Sequence, residues 1–263
     1  MNFFARRSPA SANPNLRRAL GAPCLWFCLA VVALPLRPAP AAEFSADQRK
    51  AIEAIVRDYL TKNPEVMLDA LEAAKEKLAK DAHDKAGAAL ASRRREIFED
   101  PASPVAGNPK GDVSLVEFFD YRCPYCKQVE ASLEALLIED RQLRLVYKEL
   151  PVLGPESVTA SRAALAARKQ GKYDAMHRAL MAVKGQIDEA AVLKTAASVG
   201  IDVERLKRDM AAPDIDAMLK KNSKLAEALD IRGTPGFVVG DEIVPGAISL
   251  AALRQLIDAA RHK

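Results

Sequence analysis

Sulfur and imidazole are scarce in this chain. Its 263 residues hold four cysteines, three histidines and one tryptophan, and aromatic residues make up 5% of the total. Two of the cysteines, Cys24 and Cys28, lie in an N-terminal stretch that reads as a leader. Arg6, Arg7, Arg17 and Arg18 precede an apolar run from Cys24 to Leu36, and Ala39-Pro40-Ala41 is a small-x-small cleavage site. This is the pattern of a secretory signal peptide over residues 1–41, with the mature chain starting at Ala42. The apolar run is too short to span a bilayer and ends in Pro and Arg. No small-residue lipobox precedes Cys24.

Each scarcity excludes something. With the leader removed, only Cys123 and Cys126 remain, so an exported chain has no structural disulfide framework. A structural zinc site needs four ligands, and His83, His177 and His262 are scattered. The basic balance of +4 belongs to the leader, whose five arginines and no acids leave the mature chain at −1. Nucleic-acid binding is therefore not expected. There is no glycine-rich phosphate loop, no internal repeat and no second hydrophobic span.

What is present centres on Cys123-Pro124-Tyr125-Cys126. The motif follows an apolar strand pattern, Val113 to Phe119, and opens an amphipathic stretch to Ile138. A cysteine at the first turn of a helix meets unpaired N–H groups and the positive dipole end, which stabilise a thiolate over a thiol. The second cysteine is one turn on and can displace whatever the first has captured. The two thiols are thus a redox pair or, alternatively, two soft ligands for a Cu(I) ion.

Helices are expected over 42–97. Ser45 and Gln48 form a capping box, Asn63-Pro64 restarts the helix, and Met67, Leu71, Ala74 and Leu78 make a 4-3-4 seam like that of a coiled coil. A helix this polar buries little alone, which points to an oligomerisation arm. Asp100 to Gly111, with three prolines and two glycines, reads as a joint. Strands follow at 113–119 and 143–149 around a helix at 124–138. A helical block at 156–230 is broken at Gly171, Gly185, Gly200 and Pro213. Short strands at 237–239 and 242–244 and a helix from Ser249 end the chain. The fold class is α/β: a small sheet covered by helices, with a helical insertion and a helical N-terminal arm.

Glu117 to Cys126, together with Thr234-Pro235 far downstream, resembles the DsbA-like branch of thioredoxin-fold proteins, over roughly residues 98–263. The arm resembles the N-terminal segment of the ScsC-like subgroup, periplasmic proteins linked to copper tolerance that include trimeric disulfide isomerases. The resemblance implies that Cys123 is the nucleophile, exposed at the helix start, and that Cys126 is a more buried resolving thiol. It implies that Pro124 and Tyr125 tune the pair, and that Pro235 is a cis-proline facing the cysteines, with Thr234 offering backbone groups to substrate. Glu117 stands where the family places a buried acid that shuttles the proton of Cys126, and Lys148 is a candidate partner for it. Strongly oxidising members carry His where this chain has Tyr125, so isomerase or reductase activity is expected over strong oxidase. No cofactor is implied beyond the Cys123–Cys126 disulfide. The implied partners are protein substrates, a membrane redox partner and further copies of the chain, as a trimer or dimer. The implied location is the periplasm.

Overall fold

A computed structural model describes residues 44–262; the leader and its cleavage site lie outside them. Ser45 and Gln48 cap the first helix reciprocally: the Ser45 N–H donates to Gln48 Oε1 at 2.8 Å, and the Gln48 N–H donates to Ser45 Oγ at 3.2 Å. That helix, α1 (Ala46–Lys62), has no buried residue. The boundary between the two compact units of the chain falls between Lys62 and Asn63.

The second unit begins with α2 (Glu65–Ser92) and α3 (Arg94–Phe98). Met67, Leu71 and Leu78 remain exposed along α2. Its last turns differ: Ala86 and Leu90 are buried, as are Ile97 and Phe98 of α3. The charged Ala-rich helix therefore anchors at its C-terminal end, where apolar residues meet a sheet face.

That sheet has five strands: β1 (Val105–Gly107), β2 (Val113–Phe119), β3 (Leu143–Glu149), β4 (Gly236–Val239) and β5 (Glu242–Pro245), in the order β1-β3-β2-β4-β5. β2 and β3 are parallel, linked over α4 (Pro124–Glu139). β1, β4 and β5 pair antiparallel to their neighbours. β1 lies inside the stretch expected to be a joint. Three residues are too short for a periodic signal, and the strand exists because its backbone pairs with Arg144–Val146.

Both faces of β2 and β3 are covered, and strict alternation sorts their side chains. Leu115, Phe119, Leu145 and Tyr147 face α4, α10 (Leu250–Arg261) and the helical block α5 (Pro155–Arg168), α6 (Tyr173–Ala182), α7 (Glu189–Ser198), α8 (Val203–Met210) and α9 (Pro213–Ala228). Val116, Phe118 and Val146 face the other way, onto Leu90, Ile97, Phe98 and the end of α9. The block breaks where sequence placed its breaks. Gly200, at φ +72°, closes α7 with Gly200 N–H to Ala197 O and Ile201 N–H to Ala196 O, both 3.0 Å.

Candidate active site

Strand β2 ends at Phe119, and the next four residues turn the chain into α4. Asp120 holds this turn. Its buried carboxylate accepts from the N–H of Arg122 at 2.8 Å through Oδ1, and from Val152 at 2.9 Å and Leu153 at 3.0 Å through Oδ2. One side chain thus ties the cysteine loop to the segment after β3. Arg122 reinforces the tie by donating to Leu153 O at 2.6 Å and Glu156 Oε2 at 2.9 Å.

Cys123 is the N-cap residue of α4, with extended backbone (φ −74°, ψ 117°) and Pro124 at the first helical position. Both Cys123 and Cys126 are free thiols. Thr234-Pro235 is a cis peptide, and the Thr234 carbonyl oxygen lies 3.2 Å from Cys123 Sγ. This loop covers the sulfur. Cys123 is 4% exposed, which corrects the expectation of an exposed thiol: tertiary packing brings a segment 111 residues away onto the helix start. Tyr125 is 60% exposed and marks the open rim, with Val152 and Leu153 exposed close by in sequence to the Asp120 tie. Thr234 is half-buried and Pro235 buried. Gly236 fits beneath them because a Cβ there would lie 2.6 Å from Ile231 Cγ2.

Cys126 lies fully buried on α4. Burial pushes its thiol far up, and the Glu117 carboxylate adds to the rise. Glu117 is also fully buried, and neither of its carboxylate oxygens has a hydrogen-bond partner among the described residues. Burial holds its carboxyl well above the usual range, with further upward pushes from Glu130, Cys123 and Glu149. Burial thus favours the protonated form of both groups, and a charge on Glu117 disfavours a charge on Cys126. Lys148 is not the partner of Glu117. It pairs in register with Phe118 and so points to the other face, where its Nζ donates to Glu96 O at 2.8 Å and Ser103 Oγ at 2.7 Å. There burial lowers its pKa to about 8.

This arrangement can run dithiol–disulfide exchange: a sulfur on the N-cap residue of a helix, close to a backbone carbonyl, a second sulfur one turn on, and a buried acid. Residues 114–258, more than half the chain, match the family model of the DSBA-like thioredoxin domain. The chain belongs to that family. Residues 48–80 match a second model, the N-terminal domain of the copper resistance protein ScsC.

Among solved structures, this DSBA-like chain is similar to a thioredoxin-like oxidoreductase from Silicibacter pomeroyi. The identity is 49%, the match covers 65% of this chain and 98% of that one, and the TM-score is 0.64. It is similar to Proteus mirabilis ScsC in a transitional conformation at 32% identity, covering 83% of this chain and 99% of that one, with TM-score 0.62. The chain spans about a quarter of the length of the curated relatives it matches. One is the Na(+)/H(+) antiporter NhaA 3 of Salinispora tropica, 29% identical over 158 residues that make up 59% of this chain and 24% of that one. Among the described residues, no helix is long and apolar enough to cross a membrane.

Sequence reasoning missed four polar residues of this DSBA-like site. Asp120 lies inside the Glu117–Cys126 motif, which assigns it no role. Glu130, Glu149 and His177 are buried on the α4 face of the sheet. Glu149 Oε1 accepts from Tyr121 Oη at 3.0 Å and Tyr173 Oη at 2.8 Å, while Oε2 accepts from Ser161 Oγ at 2.7 Å. Burial raises its pKa to about 8, against the three hydroxyls that favour the charged form. One signal was available: Glu130 stands four residues after Cys126 and so shares its helix face.

Proposed function

We propose that the protein is an exported thiol–disulfide oxidoreductase that acts on protein disulfides as an isomerase or reductase rather than a strong oxidase. The observation that carries this reading is the placement of Cys123 Sγ at the N-cap of α4, 3.2 Å from the Thr234 carbonyl, with Cys126 buried one turn on. Reduced Cys123 attacks one sulfur of a substrate disulfide; a mixed disulfide forms and the other substrate sulfur leaves as a thiolate. Glu117, once ionised, takes the proton of Cys126, and the Cys126 sulfur attacks Cys123 Sγ. The Cys123–Cys126 disulfide forms, the substrate is reduced, and a membrane redox partner returns two electrons to the pair. In isomerisation a second substrate thiol displaces Cys123 instead, and the pair ends as it began.

Thr234 and Pro235 also line a groove of about 810 Å³ shared with Leu78, Ala82, His83 and Gly233, room for an extended substrate segment along the Thr234-Pro235 peptide. The absence of an imidazole between Pro124 and Cys126 favours a less oxidising pair, because Tyr125 offers an O–H where a histidine would offer a charge. The leader supports export to the periplasm. The exposed Met67, Leu71 and Leu78 support assembly of the arms of two or three copies.

The test is reshuffling of a scrambled disulfide substrate by reduced protein: activity is expected, and Cys123→Ala abolishes it. A second reading is favoured by the match of 48–80 to a copper resistance protein's domain. It assigns the same two thiolates to Cu(I). Tight stoichiometric Cu(I) uptake without reshuffling would establish that reading in place of the first.

A further inference from the structure

Among the buried polar atoms that lack a hydrogen-bond partner among the described residues are both carboxylate oxygens of Glu117, Oε2 of Glu130 and Nε2 of His177. They form one cluster. His177 Nε2 is 3.5 Å from Glu130 Oε2. Glu117 pairs in register with Tyr147, whose ring lies 4.3 Å from that of His177. Glu117 and Glu130 both act electrostatically on Tyr147, and Glu130 acts on Glu117.

The charge inventory of this face is unbalanced. Glu117, Glu130 and Glu149 are all buried there. Among the buried described residues, Lys148 and His177 are the two that can carry positive charge, and Lys148 faces the opposite way. His177 is therefore the one buried side chain here able to offset a carboxylate. Several uncompensated buried carboxylates would be very costly, so the cluster must hold protons.

Hydrogen-bond geometry says where. Tyr121 has a single hydrogen and contacts both the Glu149 carboxylate, at 3.0 Å, and His177 Nδ1, at 3.1 Å. Given to the carboxylate, that hydrogen leaves the Tyr121 oxygen to accept from Nδ1–H. In neutral His177 the bare nitrogen is then Nε2, the atom that faces Glu130. Two acceptors would confront each other unless a proton lies between them. Around the ring stand Phe119 of β2, Tyr147 of β3, Tyr121 of the cysteine loop, Glu130 of α4, and Tyr173 of its own helix. Asp174 and Arg178 of α6 act on Tyr147 from the surface. Lys127, next to Cys126, donates to the Leu180 and Val183 carbonyls and so fixes the end of α6, which carries His177, to the start of α4.

We propose that Glu130 and His177, held by Tyr121 between His177 and Glu149, form a proton-holding pair whose shared proton limits the negative charge facing Glu117 and so sets how readily Glu117 takes the proton of Cys126. The inference rests on the disulfide-exchange reading and on Glu117 as the acceptor. The step balances. The Cys126 S–H proton goes to an oxygen of ionised Glu117, and the Glu130–His177 pair keeps its own proton throughout. The sulfur electrons form the Cys123–Cys126 bond as the substrate thiolate leaves. Glu130 and His177 are positioning residues that act through Glu117.

The test is a single-turnover measurement on the full chain. Glutathione is loaded onto Cys123 as a mixed disulfide, and closure by Cys126 is followed from pH 5 to 9. Glu130→Gln and His177→Phe are each expected to slow closure about tenfold or more and to move or abolish the bend in its pH profile. The first attack of Cys123 on glutathione disulfide is expected to stay within about twofold of the wild type. Equal slowing of both steps, or a lower melting temperature with an unchanged pH profile, overturns the proposal. If His177→Phe does not fold, the isosteric Glu130→Gln decides alone. Wild-type protein that never closes a Cys123–Cys126 bond overturns the exchange reading itself and removes this proposal with it.

Discussion

Glu149 is a buried carboxyl with three hydroxyl donors and a pKa pushed up to about 8. In the unfolded chain it titrates near 4.5. Between those values the native state holds a proton that the unfolded state has released, so stability falls as pH rises through the window and levels off above it. Denaturant midpoints measured from pH 5 to 9 should show this fall. Glu149→Gln should flatten it by on the order of a few kcal/mol, leaving the part due to Glu117. Asp120 is a different case. Removing its carboxylate in Asp120→Ala orphans the Arg122, Val152 and Leu153 N–H groups. The expected cost is about 2–4 kcal/mol in thermal or chemical denaturation, with faster proteolysis near residue 152. Cys123 and Cys126 were legible in sequence because the motif and its strand–helix context are local. The partners of Glu149 were not, since Tyr121 and Tyr173 lie 28 and 24 residues away and no spacing rule links them.

The helix α2 serves two ends differently. Met67, Leu71 and Leu78 are exposed, whereas Leu90 is 3% exposed and packs under the sheet with Ile97 and Phe98. Leu90→Ala should therefore cost about 2–4 kcal/mol of domain stability. Leu71→Ala should leave the melting of a dilute, dissociated chain nearly unchanged while weakening assembly, which light scattering reads directly. A truncation that removes residues 42–80 should give a well-folded monomer. One that removes 42–97 takes Ala86, Leu90, Ile97 and Phe98 with it and should lower the melting temperature by many degrees. The seam and the caps were readable because helices obey a short-range period. The anchoring of the last turns was not, because it depends on a sheet face built from residues 113–119, 143–149 and 236–239. β1 escaped for the same reason: three residues between prolines become a strand only when β3 offers an edge.

At the scale of the whole molecule, the arm and the catalytic domain should matter for different parts of the activity. Several thiols facing one substrate raise the effective concentration for repeated exchange. Removing 42–80 should thus depress reshuffling of a scrambled substrate more than simple reduction of a small disulfide, and equal loss of both would argue against a role for assembly. The sequence alone determined the pair of thiols, the α/β order around them and the helical arm, because those follow from local periodicity and from a motif that is contiguous in the chain. Tertiary structure alone decided that Cys123 lies covered by Thr234, that Lys148 turns away from Glu117, and that three acids and one histidine are buried on one side of the sheet. Each of those outcomes depends on which face of a pleated strand a side chain takes and on which distant element is packed against that face.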